Sequence, residues 1–145
     1  MPRPRLCVLV VEDETLIRWS IAETLAQKGH SVVEASNASG AVQALSDTSK
    51  PIDVVLLDHR LPDSNDLSLL RSIRCMRPDS AVVLMTAFGT AEVTKSALEL
   101  GVYRVLNKPF DMDGLESLVL EAHDARSASA PRPLEARRVS FAPFR

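Results

Sequence analysis

The sequence predicts an α/β fold, a five-stranded parallel sheet wound on both faces by helices. Three observations predict it. Short, nearly continuous apolar runs recur five times, the pattern of strands buried on both sides. Between them lie longer stretches with helical spacing of apolar residues, which makes each pair a βα unit. The length, 145 residues, suits one domain with a sizeable core.

The elements follow in order. "LCVLVV" (6–11) is the first strand. The first helix is "ETLIRWSIAETLAQKG" (14–29), with Ile17, Ile21 and Leu25 at four-residue spacing and Gly29 as its stop signal. "SVVEAS" (31–36) and "SGAVQALSDTS" (39–49) form the second pair, and "DVVLLD" (53–58) with "DLSLLRSIRCM" (66–76) the third. "SAVVLMTA" (80–87) leads to the helix "TAEVTKSALELG" (90–101), and "VYRVLN" (102–107) to "DMDGLESLVLEAHDA" (111–125). Right-handed crossovers leave the doubly wound sheet as the natural topology. The domain is expected over residues 1–125. Residues 126–145, rich in proline, alanine and arginine without helical periodicity, read as a basic disordered tail or a truncated linker.

Composition narrows the function classes. Residues 1–124 carry 12 Lys and Arg against 18 Asp and Glu, a net −6, whereas residues 125–145 carry five Arg against one Glu, a net +4. An acidic body argues against direct nucleic-acid binding by the domain. Cys7 and Cys75 lack the spacing of a zinc or redox motif and are expected to be free thiols. No apolar stretch approaches a membrane span, and the start carries no signal-peptide pattern, so a cytoplasmic location is expected.

In open parallel sheets, ligands bind at the carboxyl ends of the strands. Those ends carry Glu12 and Asp13 after the first strand, Asp58 after the third, Thr86 after the fourth and Lys108 after the fifth. Each has an ordinary explanation by itself: helix-start acids, a cap or turn, a β-branched strand residue, a surface lysine. Their coincidence at four strand ends does not. Two carboxylates 4 Å apart repel by about 4 kcal/mol at an effective dielectric near 20, so such a cluster is kept where a cation fills it. Hard oxygen donors without His or Cys favour Mg²⁺. A metal and a lysine beside a carboxylate suit phosphoryl transfer, and the carboxylate can itself be the nucleophile, giving an aspartyl phosphate.

The motifs "VVEDE", "LLDHRLPD", "LMTA" and "LNKPFD", in this order and spacing, resemble the receiver domain of two-component response regulators over residues 6 to about 124. The resemblance implies the flavodoxin-like strand order 2-1-3-4-5. It implies that Asp58 is the phosphoacceptor and that Mg²⁺ is the cofactor. Asp13 would ligate the metal directly, Glu12 through water, and the backbone carbonyl of Arg60 would complete the protein's share. Thr86 and Lys108 would each meet a phosphoryl oxygen, and Ala87 would be the small residue that admits the group. Pro109 would follow a cis peptide. "ETLIRWSIAETL" and "GVYRVLNKPFDMDGL" are further similar to receivers of the nitrogen-regulation (NtrC-like) type, and Trp19 supports this, although a single Trp on a helix more often serves packing.

Three features depart from the pattern. The switch aromatic, expected three residues before the lysine, is Val105; strand alternation would place Tyr103 on the same side as Val105, so Tyr103 is no obvious replacement. The turn after Pro62 reads "DSND", with Asn65–Asp66 where Asp-Gly is usual; both residues tolerate the left-handed conformation, so the turn should survive. The residues after 125 are too few for an ATPase or helix-turn-helix unit.

The function implied is a switch. A histidine kinase or phosphotransfer protein donates phosphate to Asp58, residues 86–101 respond, and the face of residues 90–125 binds a downstream protein or a second copy. A phosphate-independent binding module of the same fold is the alternative, favoured mildly by Val105. A phosphatase with an aspartyl-phosphate intermediate would need a second Asp two residues after the nucleophile, where Arg60 stands, and no G-x-G-x-x-G follows a strand. Beyond Mg²⁺-assisted self-phosphorylation and its reversal, no enzyme activity is expected. His59, Arg60 and Phe88 flank the site and would control water access; Arg137, Arg138, Phe141 and Phe144 could dock the tail to a partner or an anionic surface.

Overall fold

The computed structural model describes residues 4–64, 66–87 and 89–129. Asn65, Phe88 and the expected tail from residue 130 onward, with Arg137, Arg138, Phe141 and Phe144, lie outside the described residues. The strands are β1 (Cys7–Val11), β2 (Ser31–Ala35), β3 (Val54–Asp58), β4 (Ala81–Thr86) and β5 (Arg104–Asn107). They pair in parallel in the order β2-β1-β3-β4-β5, as expected. The helices are α1 (Thr15–Gln27), α2 (Ala38–Ser46), α3 (Ser68–Met76), α4 (Ala91–Glu99) and α5 (Leu115–Ser129).

Strand alternation divides the core in two. Leu9, Val11, Val55, Leu57, Val82 and Leu84 face α2, α3 and α4, meeting Leu45, Leu70 and Ile73. Val8, Val10, Val54, Leu56, Val83 and Met85 face the other way, onto Ile21 and Leu25 of α1 and Leu115 and Val119 of α5. The middle strands β3 and β4 are buried at every position, which explains their unbroken apolar sequences. Full burial of each such Val or Leu stabilises by roughly 1.5–3 kcal/mol. With the apolar side chains of these strands committed to packing, only their last residues, Asp58 and Thr86, and the loops that follow are left to carry chemistry.

Three expectations are corrected. The last helix does not start at residue 111: Met112–Gly114 is a 3₁₀ turn, tightened by the Asp111 carboxylate accepting from the Asp113 N–H at 3.0 Å. The helix then runs to Ser129, past residue 125, because "ARSAS" contains no breaker and helix propensity needs no apolar period. Tyr103 packs with the α1–α5 side of the core, whereas Val105 packs with the α3–α4 side. Tyr103 precedes the first residue of β5, so the two-residue alternation does not reach it; its hydroxyl bonds Glu121 at 3.3 Å. Trp19 is 59% exposed and is not part of the buried core.

Both cysteines are free. Among the described residues no helix is long and apolar enough to cross a membrane.

Candidate functional site

The sheet register sets the site. β1 and β3 lie side by side, Val11 opposite Leu57, so the residues that follow them, Glu12 and Asp13, come level with Asp58. Glu12 and Asp58 are buried, at 0% and 6% exposure, and Asp13 is exposed. Carboxylate oxygens of the three lie within 4.8 Å of one another.

Lys108 reaches this cluster from β5. Its Nζ is 2.6 Å from Glu12 Oε1 and 3.2 Å from Asp58 Oδ2. The Lys108 N–H donates to the Thr86 carbonyl at 2.8 Å, and the Lys108–Pro109 peptide is cis. Thr86, at 2% exposure, ends β4 beside them, and Ala87 is exposed next to it. Beyond Ala87 and Lys108 opens a largely apolar cavity of about 330 Å³, lined also by Glu14, Ile17, Phe110 and Met112. The Arg60 N–H donates to Asp58 Oδ1 at 3.3 Å, which turns the chain after β3 back over the carboxylate.

The electrostatics follow from burial and like charge. Burial pushes the Glu12 carboxyl above its usual value and the neighbouring Asp58 adds to this, while the hydrogen bond from Lys108 opposes it. For Lys108, burial disfavours the ammonium, but the Glu12 hydrogen bond and the Asp58 charge outweigh it, and its pKa is raised. The lysine is therefore held charged. One cation faces two buried carboxylates and a third at the rim. For His59, burial and the Arg60 charge lower its pKa, and its Nδ1 has no hydrogen-bond partner among the described residues.

The positions expected to bind metal or phosphoryl group, Glu12, Asp13, Asp58, Thr86, Ala87, Lys108 and the Arg60 backbone, lie at this one edge of the sheet. Val105 does not; it is half-buried on β5, packed toward α4. Two supporting residues carry no signal in the sequence. Arg18 of α1 donates to the Glu12 carbonyl at 2.8 Å and pairs with Glu34 at 3.2 Å, which fixes the turn after β1. Asp63 caps α2 from 25 residues away, accepting from the Ala38 N–H at 2.7 Å and the Ser39 N–H at 3.0 Å. The turn after Pro62 closes through paired Leu61 and Ser64 backbone groups, at 2.8 and 3.2 Å.

The donor set fits a hard divalent cation: oxygen ligands only, an excess of negative charge, and two carboxylates whose burial needs compensation. The sequence and the fold match known proteins. The family model described as "Response regulator receiver domain" matches residues 8–120. The DNA-binding transcriptional regulator NtrC of Escherichia coli (strain K12) is 36% identical over 115 residues, 79% of this chain and 24% of that protein. Among solved structures, NtrX from Brucella abortus has a TM-score of 0.78 at 31% identity, covering 94% of this chain and 30% of that one. A CheY-like receiver domain protein from Methanospirillum hungatei JF-1 superposes with a TM-score of 0.80 over 88% of this chain and all of its own, at 23% identity, which speaks for the fold alone. The chain spans about a quarter of the length of the curated relatives it matches.

Proposed function

The chain belongs to the response regulator receiver family, and on that premise we propose that Asp58 accepts a phosphoryl group in an Mg²⁺-dependent reaction. The observation that carries this reading is the meeting of Glu12, Asp13 and Asp58 with Lys108 at one strand edge. Glu12, Asp13, Asp58 and the Arg60 carbonyl would hold the ion, which when bound neutralises charge on the transferring phosphoryl oxygens. An Asp58 carboxylate oxygen attacks phosphorus; the new O–P bond forms as the bond from phosphorus to the donor breaks, and the donor leaves with its electron pair. Lys108 then exchanges its bond to Asp58 for one to a phosphoryl oxygen, and the Thr86 hydroxyl takes another. Ala87 has no bulk to block the approach.

The donor would be a histidine kinase or phosphotransfer protein, which places the domain in the cytoplasm. Phosphorylation would bias the segment 86–101 and change how residues 90–125 bind a downstream protein or a second copy of the chain; Leu98, 48% exposed on α4, is the large apolar residue on that face. Several relatives are named as DNA-binding regulators, but the body's 12 basic against 18 acidic residues gives this domain no electrostatic attraction to nucleic acid.

Intact mass after incubation with acetyl phosphate tests the reading. Wild type should gain one phosphoryl increment only with Mg²⁺, and Asp58→Asn should gain none. No increment in a folded wild type that binds Mg²⁺ would support the phosphate-independent module instead.

A further inference from the structure

Each polar group of Glu12 has a partner. Its N–H donates to the Ala35 carbonyl at 3.0 Å, Oε1 meets the Lys108 ammonium at 2.6 Å, and Oε2 accepts from the Glu14 N–H at 3.1 Å. Its carbonyl accepts from Arg18 Nη1 at 2.8 Å. That carbonyl belongs to the peptide joining Glu12 to Asp13, and the peptide is planar, so the guanidinium fixes the orientation in which the chain enters Asp13. Asp13 is exposed, so its carboxylate depends more on the backbone than on packing for its place. The same guanidinium turns its Nε to Glu34 Oε1 at 3.2 Å, and the two side chains are 18% and 48% exposed. Glu34 lies on the edge strand β2, level with Val10 of β1. An ion pair this open to water contributes little to the stability of the fold. Its local effect is electrostatic: without Glu34, Arg18 would set an uncompensated positive charge against the peptide that leads into Asp13.

We propose that Arg18 is a positioning residue for the Mg²⁺ site. Its guanidinium holds the Glu12–Asp13 peptide in the orientation that presents both carboxylates to the ion, and Glu34 neutralises the guanidinium so that it does not repel that ion. The inference rests on the Mg²⁺-dependent phosphoacceptor reading above and adds to it two residues outside the strand-end cluster. Charge and geometry predict opposite signs for the arginine. As a bare positive charge near a cation site, Arg18 would weaken Mg²⁺ binding, and its removal would tighten it. As the holder of the peptide, its removal weakens binding, since losing a group that orients a metal ligand typically costs about 10–100-fold in affinity. Glu34 acts by charge alone, across a solvated distance, so its effect is open to screening.

The test is Mg²⁺ titration of the full chain followed by backbone amide NMR, which reads the dissociation constant and the integrity of the fold together. Wild type, Arg18→Met, Glu34→Gln and the double variant are compared at about 0.01 M and about 1 M salt, where the screening length is about 30 Å and about 3 Å. Arg18→Met should bind Mg²⁺ at least about tenfold more weakly than wild type at both salt concentrations. Glu34→Gln should bind about two- to fivefold more weakly at low salt, the scale of an exposed charge, and should match wild type at high salt. The double variant should match Arg18→Met, because no uncompensated charge remains. Arg18→Met that binds Mg²⁺ as tightly as wild type, or more tightly, overturns the proposal. So does Glu34→Gln indistinguishable from wild type at low salt. An Arg18→Met protein that loses its amide dispersion without metal overturns it as well, since the arginine would then serve the fold and not the ion. Wild type that shows no response to Mg²⁺ refutes the phosphoacceptor reading and this inference with it, whereas the other failures refute the inference alone.

Discussion

The two edges of the sheet use polar groups in opposite ways. At the edge where strands begin, polar side chains tie chain to chain. The Arg77 guanidinium donates to the carbonyls of Leu45, Asp47 and Lys50 at 2.9–3.2 Å. Arg74 donates to the Ser80 carbonyl at 2.8 Å, the buried Ser80 hydroxyl to the Ile52 carbonyl, and the Cys7 N–H to Asp53 at 2.8 Å. Buried His30 takes the Leu6 N–H on Nδ1 at 3.0 Å, which leaves its proton on Nε2 for Glu116 at 2.9 Å. At the edge where strands end, Glu12, Asp13 and Asp58 crowd together against one lysine. The first arrangement satisfies each group by a neighbour of opposite character; the second concentrates like charge that a single lysine offsets only in part. Polarity spent on structure and polarity held for a ligand are distinguished by that balance.

The largest break in the comparison should come from Lys108→Met. Removing one partner of a buried charge pair typically costs about 3–5 kcal/mol, and here it leaves Glu12 and Asp58 without their cation. Denaturant unfolding in Mg²⁺-free buffer measures it, and added Mg²⁺ should recover part of the loss. Arg77→Ala should cost about 2 kcal/mol at the other edge, from charged hydrogen bonds to backbone carbonyls. It should leave the phosphoryl mass increment intact, which separates the two edges by function.

The fold was legible because its information is local. Runs such as "VVLLD" and "AVVLMT" can only be strands buried on both sides, and five βα units admit few topologies. The acidic site was legible for the same reason: once the strands are placed, their carboxyl ends meet, and Asp58, Glu12, Asp13, Thr86 and Lys108 are simply what stands there. What depends on three-dimensional packing was not legible. Nothing in the sequence tells Asp63 to cap α2, or Gly89 to lie close to Thr86 and Asn107. Tyr103 was misplaced because alternation was extended one residue beyond the strand. The last helix was ended early because apolar periodicity stops before helical propensity does.

Smaller effects sharpen the comparison. Ser80→Ala should cost about 1 kcal/mol, the value of one buried hydrogen bond, again without touching phosphorylation. Asp63 tests the link between the site loop and α2. Its pKa is lowered by the Ala38 and Ser39 N–H groups, so its stabilisation is present above the unfolded aspartate value, near 3.9, and is lost as pH falls through the lower folded value. Asp63→Asn should flatten that part of the acid-unfolding curve by lowering the neutral-pH melting temperature, with the two proteins converging at low pH.

The most direct test of the account is thermal unfolding with and without Mg²⁺, for wild type and Asp58→Asn side by side. At tenfold excess over its dissociation constant, a ligand specific for the folded state stabilises by about 1.4 kcal/mol, which is several degrees for a domain of this size. Wild type should melt higher by that amount with Mg²⁺. Asp58→Asn should melt above wild type without Mg²⁺, since one crowded charge is gone, and should respond less to the ion. A wild-type melting temperature unmoved by saturating Mg²⁺, together with a destabilised Asp58→Asn, would contradict the account: the carboxylates would then be structural, like the polar groups at the opposite edge.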